Sequence, residues 1–403
     1  MARTKWALAG VAAVALVGAI WLVAARWLPN DAELVARLQA VAEERLGVPV
    51  EIGSAHWSLF PAPVVVVENF RTRQDEPVTV GRVAAYPRLI PLARGKLSFA
   101  SIIIKDAVLP SESVRKFRHA EKKPRHEPPG RFEFRNVTWV SRGDKHLMYD
   151  GEASLDDDWR PRQAELRRSG AESPFVLAIE RDGDADYWRA RIKVGGGTMN
   201  GDLELKTVSD GTMNLSGTLS PRNVEVADTL RTFELNPIVS GRGSGRTLVW
   251  AEGQTPGDLL RSLHTRTTFR LKQATVLRFD LVRAIDTLGK EHKGRTPLDS
   301  LTGQLDTQNT GNGIRVSYTD LKARSGRYSA TGEATTYRGN VEGRGTLYVD
   351  DSDEVPFTIT GTMKKPRTKV SRPAAAAAIV NKKASDFADA VADTFKNIVG
   401  AEN

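Results

Sequence analysis

The chain has 403 residues, of which 40% are hydrophobic and 27% are charged, and its formal net charge is +9 at pH 7. This composition is typical of a folded protein that is long enough for a large core or two domains. The absence of cysteine excludes disulfides, thiolate metal sites and thiol nucleophiles. The positive charge favours an anionic partner, either nucleic acid or lipid headgroups.

An uncharged segment near the N-terminus decides between these partners. Twenty residues from Trp6 to Ala25 carry no charge, and at about 1.5 Å per residue they span roughly 30 Å of hydrocarbon. Trp6, Trp21 and Trp27 lie near the ends of the segment, where indole rings prefer the membrane interface. Basic residues precede it, so we predict a single-pass transmembrane anchor over residues 1–28 with a cytoplasmic N-terminus and the remaining chain exported.

A cleavable signal peptide is the alternative interpretation of this segment, because Val23, Ala24 and Ala25 resemble a cleavage site. The uncharged run is longer than the roughly 7–15 apolar residues that are usual in signal peptides. Arg26 and Trp27 directly after it are typical of an interfacial stop. We therefore expect an uncleaved anchor, and we expect the positive charge to face lipid and not nucleic acid.

A helix and several strands are predicted after the anchor. Asn30 is a suitable N-cap, Glu33 supplies the acid of a capping box, and Gly47 ends the helix. Apolar residues bounded by turn residues predict strands at Val48–Ile52, Val64–Val67, Val78–Tyr86 and Ile102–Leu109. Residues 29–110 are therefore expected to form one helix-plus-strands unit.

The run Trp57, Ser58, Leu59, Phe60 and Pro61, placed soon after this helix and its first strand, resembles the N-terminal signature of the AsmA-like family. That family includes AsmA, YhdP and TamB and is similar to the chorein-like bridge lipid-transfer proteins. The segments from Leu301 to Leu347 and from Pro356 to Thr362 resemble its closing strands.

The resemblance implies a location and a fold. It implies a single-pass protein of the inner membrane of a Gram-negative envelope, with its bulk in the periplasm. It also implies a mainly β fold, in which a long, curled antiparallel sheet forms a trough with a few capping helices. The run from Trp57 to Pro63 keeps two interpretations: a packed corner that closes one end of a sheet, or a lipid entry point close to the bilayer.

Residues 111–130 differ in composition from the strands on either side. Six basic residues are interspersed with prolines, namely Arg115, Lys116, Arg118, Lys122, Lys123 and Arg125. Such a segment buries little apolar surface, so we predict an exposed basic, proline-rich linker. Contact with anionic lipid, at about 1 kcal/mol per basic residue near the membrane surface, is the alternative.

Residues 131–362 alternate between apolar and polar side chains in strand after strand, and turn sequences such as Asp182-Gly183 separate the strands. Each such strand has one apolar and one polar face. The apolar face of a long antiparallel sheet either folds onto itself or leaves a furrow that holds apolar ligand. The candidate lining residues are Met213, Leu215, Leu219, Phe269, Leu271, Ile314, Val316, Leu347, Val349, Phe357 and Ile359.

Helices are predicted within and after this sheet. A helical insert near 255–288 begins with Pro256 at its first position, and a second short helix is expected around Phe279–Leu288. Residues 363–403 are expected to form a basic segment and an amphipathic helix after Pro373, whose apolar face carries Phe387, Val391, Phe395 and Ile398. Its polar face carries three aspartates that anionic lipid would repel. We therefore expect residues 373–403 to pack on the sheet or to bind an envelope protein.

The sequence lacks the motifs of catalysis and metal binding. It contains no Gly-x-Ser-x-Gly and no phosphate loop, and its six histidines show no ligand spacing. Asp182, Asp184 and Asp186 resemble the start of a calcium loop, but Tyr187 stands where glycine is required and Lys193 where glutamate is required. We predict a hairpin turn there, and we expect neither an enzyme nor a metal or cofactor.

The preferred hypothesis is a protein that binds or conducts phospholipid in an apolar β-groove for outer-membrane biogenesis. The alternative is a closed, dry-cored scaffold that assists assembly of outer-membrane proteins through residues 373–403. A hydrolase with an unrecognised site is a third reading, which the missing motifs disfavour.

Overall fold

The computed structural model describes residues 30–370, except residues 59, 94–97, 115, 118–127, 142–143, 158–159, 210, 236, 238, 255, 278–293, 311–312, 327, 350–352 and 363–364. The predicted anchor, the second helix of the insert and the predicted C-terminal helix lie outside the described residues. Among those described, no helix is long and apolar enough to cross a membrane. The fold is mainly β with few helices, which confirms the predicted class.

The chain divides into two compact units, Met1–Arg160 and Pro161–Asn403. Unit 1 begins with helix α1, Asp31–Leu46. The side chain of Asn30 accepts a hydrogen bond from the Glu33 backbone N–H at 2.8 Å, which confirms the predicted N-cap. Gly47 follows the helix with a φ of 70°, a left-handed conformation that glycine adopts without strain.

The strands of unit 1 are β1 Val50–Ser58, β2 Val64–Thr72, β3 Thr79–Pro87, β4 Phe99–Pro110, β5 Arg131–Val140 and β6 His146–Leu155. Short helices α2, Leu89–Ala93, and α3, Ser111–Val114, precede and follow β4. The apolar side of α1 packs on the sheet, where Leu34 joins Ile52, Ala55 and Val65 in a buried cluster.

One strand pair of unit 1 departs from the predicted antiparallel pattern. Successive strands from β1 to β4 pair antiparallel, as do β5 and β6, but β4 and β5 are parallel, with Ser101 opposite Arg131 and Pro110 opposite Val140. A parallel pair needs a crossover of a dozen or more residues. Residues 111–130, predicted to be a linker, therefore connect two strands that are hydrogen-bonded neighbours.

Unit 2 contains fourteen of the described strands. They are β7 Pro161–Arg168, β8 Phe175–Arg181, β9 Tyr187–Val194, β10 Gly197–Thr207, β11 Met213–Arg222, β12 Val224–Glu225, β13 Val239–Gly253, β14 His264–Leu277, β15 Arg295–Asn309, β16 Ile314–Ser325, β17 Tyr328–Tyr337, β18 Asn340–Val349, β19 Asp353–Thr362 and β20 Lys365–Val370. Successive strands pair antiparallel, except that β11 pairs with β13 beyond the short β12.

Two helices are described in unit 2. Helix α5, Pro256–Ser262, begins at the predicted proline. Helix α4, Val226–Thr232, was not predicted, and its N-cap is Glu225, whose carboxylate accepts the Ala227 N–H. The sequence between Asp182 and Tyr187 forms the predicted hairpin turn between β8 and β9.

Candidate functional site

The pairing register shows which side chains of unit 2 share a face, because residues directly opposite each other in neighbouring strands project to the same side of a sheet. Leu219 of β11 is opposite Thr247 of β13, and Thr247 is opposite Thr267 of β14. Phe269 and Leu271 follow Thr267 at intervals of two residues. The candidates on β11 and on β14 therefore lie on one face, which we call the apolar face.

The apolar face continues from β14 to β16. Thr267 is opposite Leu305 of β15, and Leu305 is opposite Tyr318 of β16. Val316 and Ile314 precede Tyr318 at intervals of two residues, so they lie on the same face.

The register carries the apolar face on to β18. Tyr318 of β16 is opposite Ala334 of β17, and Ala330, four residues before Ala334, is opposite Leu347 of β18. The eight candidates whose side chains are described thus share one face. For Val349, Phe357 and Ile359 only the backbone register is described, which places them opposite Tyr328, Gly345 and Gly343.

Several residues of the apolar face were missed by the sequence analysis. Leu205 is opposite Leu215, and Leu203 and Trp188 extend the face through β10 to β9. In β9, arginine and lysine alternate with Trp188, Ala190 and Ile192. This alternation could have predicted a strand with one apolar face. By contrast, β13 and β17 present mainly threonine, alanine and glycine on this face, which provide little hydrophobic contrast.

The described residues cover the apolar face only in part. Leu219, Leu271 and Leu347 are 7%, 4% and 6% exposed, and Leu271 packs with Ala274 and Leu298 in a cluster that α4 joins through Val226. Met213, Leu215, Phe269 and Val316 are half-buried, and Ile314 is exposed. A fully packed core would bury these side chains completely, so the face retains accessible apolar surface among the described residues.

The opposite face of unit 2 is polar and rich in cations. Arg242 is directly opposite Lys272, and Arg270, Lys322 and Arg324 lie nearby on β14 and β16. All five side chains are exposed. A depression of about 600 Å³ on this side is lined in part by Arg246, Arg270 and Lys322. Like charges directly across a strand pair are destabilising, and the exposure of these side chains to water screens their repulsion.

Asp306, His264 and Arg266 form a hydrogen-bonded group on the polar face. His264 Nε2 lies 2.6 Å from Asp306 Oδ1, and Arg266 Nε donates to Oδ2 at 3.0 Å. Partial burial raises the pKa of Asp306, but hydrogen bonds from His264 and Arg266 outweigh it, so the pKa lies below its ordinary value. This arrangement adds side-chain links to the backbone pairing of strands β14 and β15.

The run from Trp57 to Pro61 in unit 1 lies partly in a packed environment and partly in solvent. Trp57 belongs to β1 and packs against the cluster beneath α1, and its Nε1–H is buried with no acceptor among the described residues. Ser58 ends β1 opposite Val64, and Leu59 lies outside the described residues. Phe60 and Pro61 are exposed in the turn that follows.

Within the described part of the chain, no group of three or more histidine, aspartate or glutamate side chains could hold a metal ion. No family model, curated protein or solved structure matches this chain. The assignment of function therefore depends on the geometry of the two faces of unit 2.

Proposed function

We propose that the apolar face of unit 2 binds the acyl chains of phospholipid, and that the protein is an inner-membrane protein that carries or shelters phospholipid bound for the outer membrane. In this proposal the sheet of unit 2 curls into an open trough, and residues 1–28 anchor the chain. The observation that carries the proposal is the apolar face from β9 to β18, which the described residues bury only in part and which lies opposite a strongly polar face.

The energetics favour such a surface. Moving a 16-carbon acyl chain through water costs on the order of 12 kcal/mol, at about 0.8 kcal/mol per methylene. Leucine, valine, isoleucine and phenylalanine side chains offset this cost through contact alone. Binding of this kind requires no catalytic group.

The test is photo-crosslinking of the full-length chain, held in amphipol and incubated with vesicles that contain a phospholipid with a diazirine in its acyl chain. Peptide mass spectrometry then locates the crosslinks. We expect them at Met213, Phe269 and Val316, and not at Asn214, Arg270 or Arg315, their neighbours on the polar face. Equal labelling of both faces, or none, would refute the proposal.

A matched pair of variants sharpens the test. Phe269→Asp places a charge among acyl chains and should reduce crosslinking by about tenfold or more, because burial of an unpaired charge costs several kcal/mol. Phe269 is only half-buried, so the fold should persist, unlike after substitution of the buried Leu271. Arg270→Asp changes the adjacent residue on the opposite face and should leave the crosslinking yield unchanged.

A scaffold is the second candidate function. The buried cluster of Leu271, Ala274 and Leu298 shows that one part of the apolar face is packed against other residues. If such packing extended along the entire face, no ligand would fit, and the protein would act through its surface. Purification without bound phospholipid, together with absent crosslinking, would favour this function.

A further inference from the structure

Three large apolar side chains of unit 1 project into solvent. Phe60 is 88% exposed, Ile90 is 70% exposed and Leu89 is 61% exposed. These are the highest exposed fractions among the large apolar side chains of the described residues. Single exposed apolar residues are common on protein surfaces, whereas a group of them indicates an interaction site.

The strand register places these three residues at the same end of the sheet of unit 1. Ser58 is opposite Val64, so the turn that contains Phe60 leaves this end. Val65 is opposite Ala85, and β3 therefore also finishes there, directly before Leu89 and Ile90 of α2. We call these three residues the apolar tip.

Helix α1 begins towards the apolar tip. Near its end, the Glu43 carboxylate accepts a hydrogen bond from the N–H of Val50, at the start of β1, at 3.1 Å. Near its beginning, Leu34 belongs to a buried cluster with Ile52, Ala55 and Val65, all of which lie further towards the tip than Val50. The chain therefore enters α1 from the side of the apolar tip, and the uncharged segment from Trp6 to Ala25 precedes this entry point in the sequence.

We propose that the apolar tip of Phe60, Leu89 and Ile90 inserts into the interface of the bilayer that holds the anchor. This inference rests on the membrane anchorage included in the proposed function. An anchor that enters on the side of the tip keeps the tip at the bilayer surface, where apolar and aromatic side chains find a favourable environment. Insertion fixes the orientation of unit 1, so that its sheet rises from the membrane with the β2–β3 turn at the far end.

Because the natural chain has no cysteine, a single introduced cysteine can carry a spin label at a unique position. The variants are Phe60→Cys, Leu89→Cys and Ile90→Cys, with Asp75→Cys in the β2–β3 turn as the control. The Asp75 side chain is 99% exposed, and β2 begins at the tip and ends near Asp75. All four positions are exposed, so the substitutions leave the core intact.

The full-length labelled chains are reconstituted into vesicles of phosphatidylethanolamine and phosphatidylglycerol and isolated by flotation. Collision rates of the label with oxygen, which concentrates in lipid, and with a water-soluble nickel complex are then measured. We expect a several-fold higher oxygen-to-nickel ratio at the three tip positions than at residue 75.

Other outcomes overturn the inference in distinguishable ways. Tip labels that are as accessible to nickel as the label at residue 75 would show that the tip stays in water. Tip labels protected from both reagents would show burial by protein, either a second copy or a partner. If the chain does not float with the vesicles, it is not anchored in the membrane, and the membrane anchorage in the proposed function is wrong as well.

Discussion

Asp306 shows how one carboxylate can stabilise the polar face of a sheet. It accepts hydrogen bonds from a histidine and an arginine of the neighbouring strand, and its pKa is lowered as a result. A carboxyl group with a lower pKa in the folded state stabilises the fold above its unfolded-state pKa. That contribution is lost as the pH falls through the folded-state value.

We predict that Asp306→Asn lowers the free energy of unfolding at pH 7 by about 1 kcal/mol, since the pair is partly screened by solvent. The difference from the wild type should shrink as the pH falls below about 3.9, the ordinary pKa of aspartate. Urea unfolding of the wild type and the variant between pH 7 and pH 2 measures this difference in the free energy of unfolding. Asp184→Asn, in the β8–β9 turn, is the control. A difference that stays constant down to pH 2 would contradict the prediction.

Residues whose role depends on local rules were predictable, and those whose role depends on distant neighbours were not. Asn30 could be identified as an N-cap because its partner is three residues away. Asp306 contacts His264, which is 42 residues away in the sequence. No local sequence pattern indicates this contact. The contrast between packed Trp57 and exposed Phe60 likewise depends on where β1 stops, and an aromatic cluster alone does not reveal that boundary.

At the scale of elements, strand β16 keeps its apolar residues on one face through a bulge. Leu321 and Ala323 are separated from Tyr318 by odd intervals. Regular alternation would therefore put both of them on the face opposite to that of Tyr318. The pairing shifts between Tyr318 and Leu321, where Asp320 has a φ of 52°. This extra residue restores the apolar face on both sides of the bulge.

We predict that deletion of Asp320 turns one half of β16 over, because a one-residue slip exchanges the two faces. Each apolar side chain moved to solvent costs about 1.5–3 kcal/mol, so the thermal midpoint should fall and phospholipid crosslinking at Val316 should be lost. Asp320→Gly, which retains the bulge and suits its positive φ, is the matched control. Equal behaviour of the two variants would show that the bulge does not set the register.

Elements with strong periodicity were predicted well, and those set by tertiary pairing were not. The alternation in Met213–Leu219 and Ile314–Tyr318 marked strands that the structure contains. Helix α4 was missed because its seven residues span only two turns, too few for a period to show. The parallel pairing of β4 with β5 was missed because strand alternation is the same for both directions of pairing.

At the scale of the whole molecule, the trough and the scaffold place function in different parts of the chain. A trough acts through the apolar face of unit 2, whereas the scaffold hypothesis assigns partner binding to residues 373–403. Removal of the latter residues therefore separates the two.

We predict that a chain truncated after Arg372 retains phospholipid crosslinking at Phe269, because the residues that provide the apolar face are all present. Crosslinking yield relative to the full-length chain, with Phe269→Asp as the negative control, measures this. Loss of crosslinking in the truncated chain alone would contradict this prediction. Loss of an envelope partner on truncation, with no lipid bound to either chain, would favour the scaffold.

The parallel pair in unit 1 also has a consequence for the order of folding. Strands β1 to β3 are joined by short connections, and such hairpins form within microseconds. Pairing Ser101 with Arg131 instead closes a loop of 30 residues, and loop-closure entropy must be overcome before such a contact contributes. We therefore expect β5 and β6 to form their own hairpin and to join β4 last, so that during synthesis of the chain the edge of β4 remains open to pairing with other strands until residue 140 has emerged.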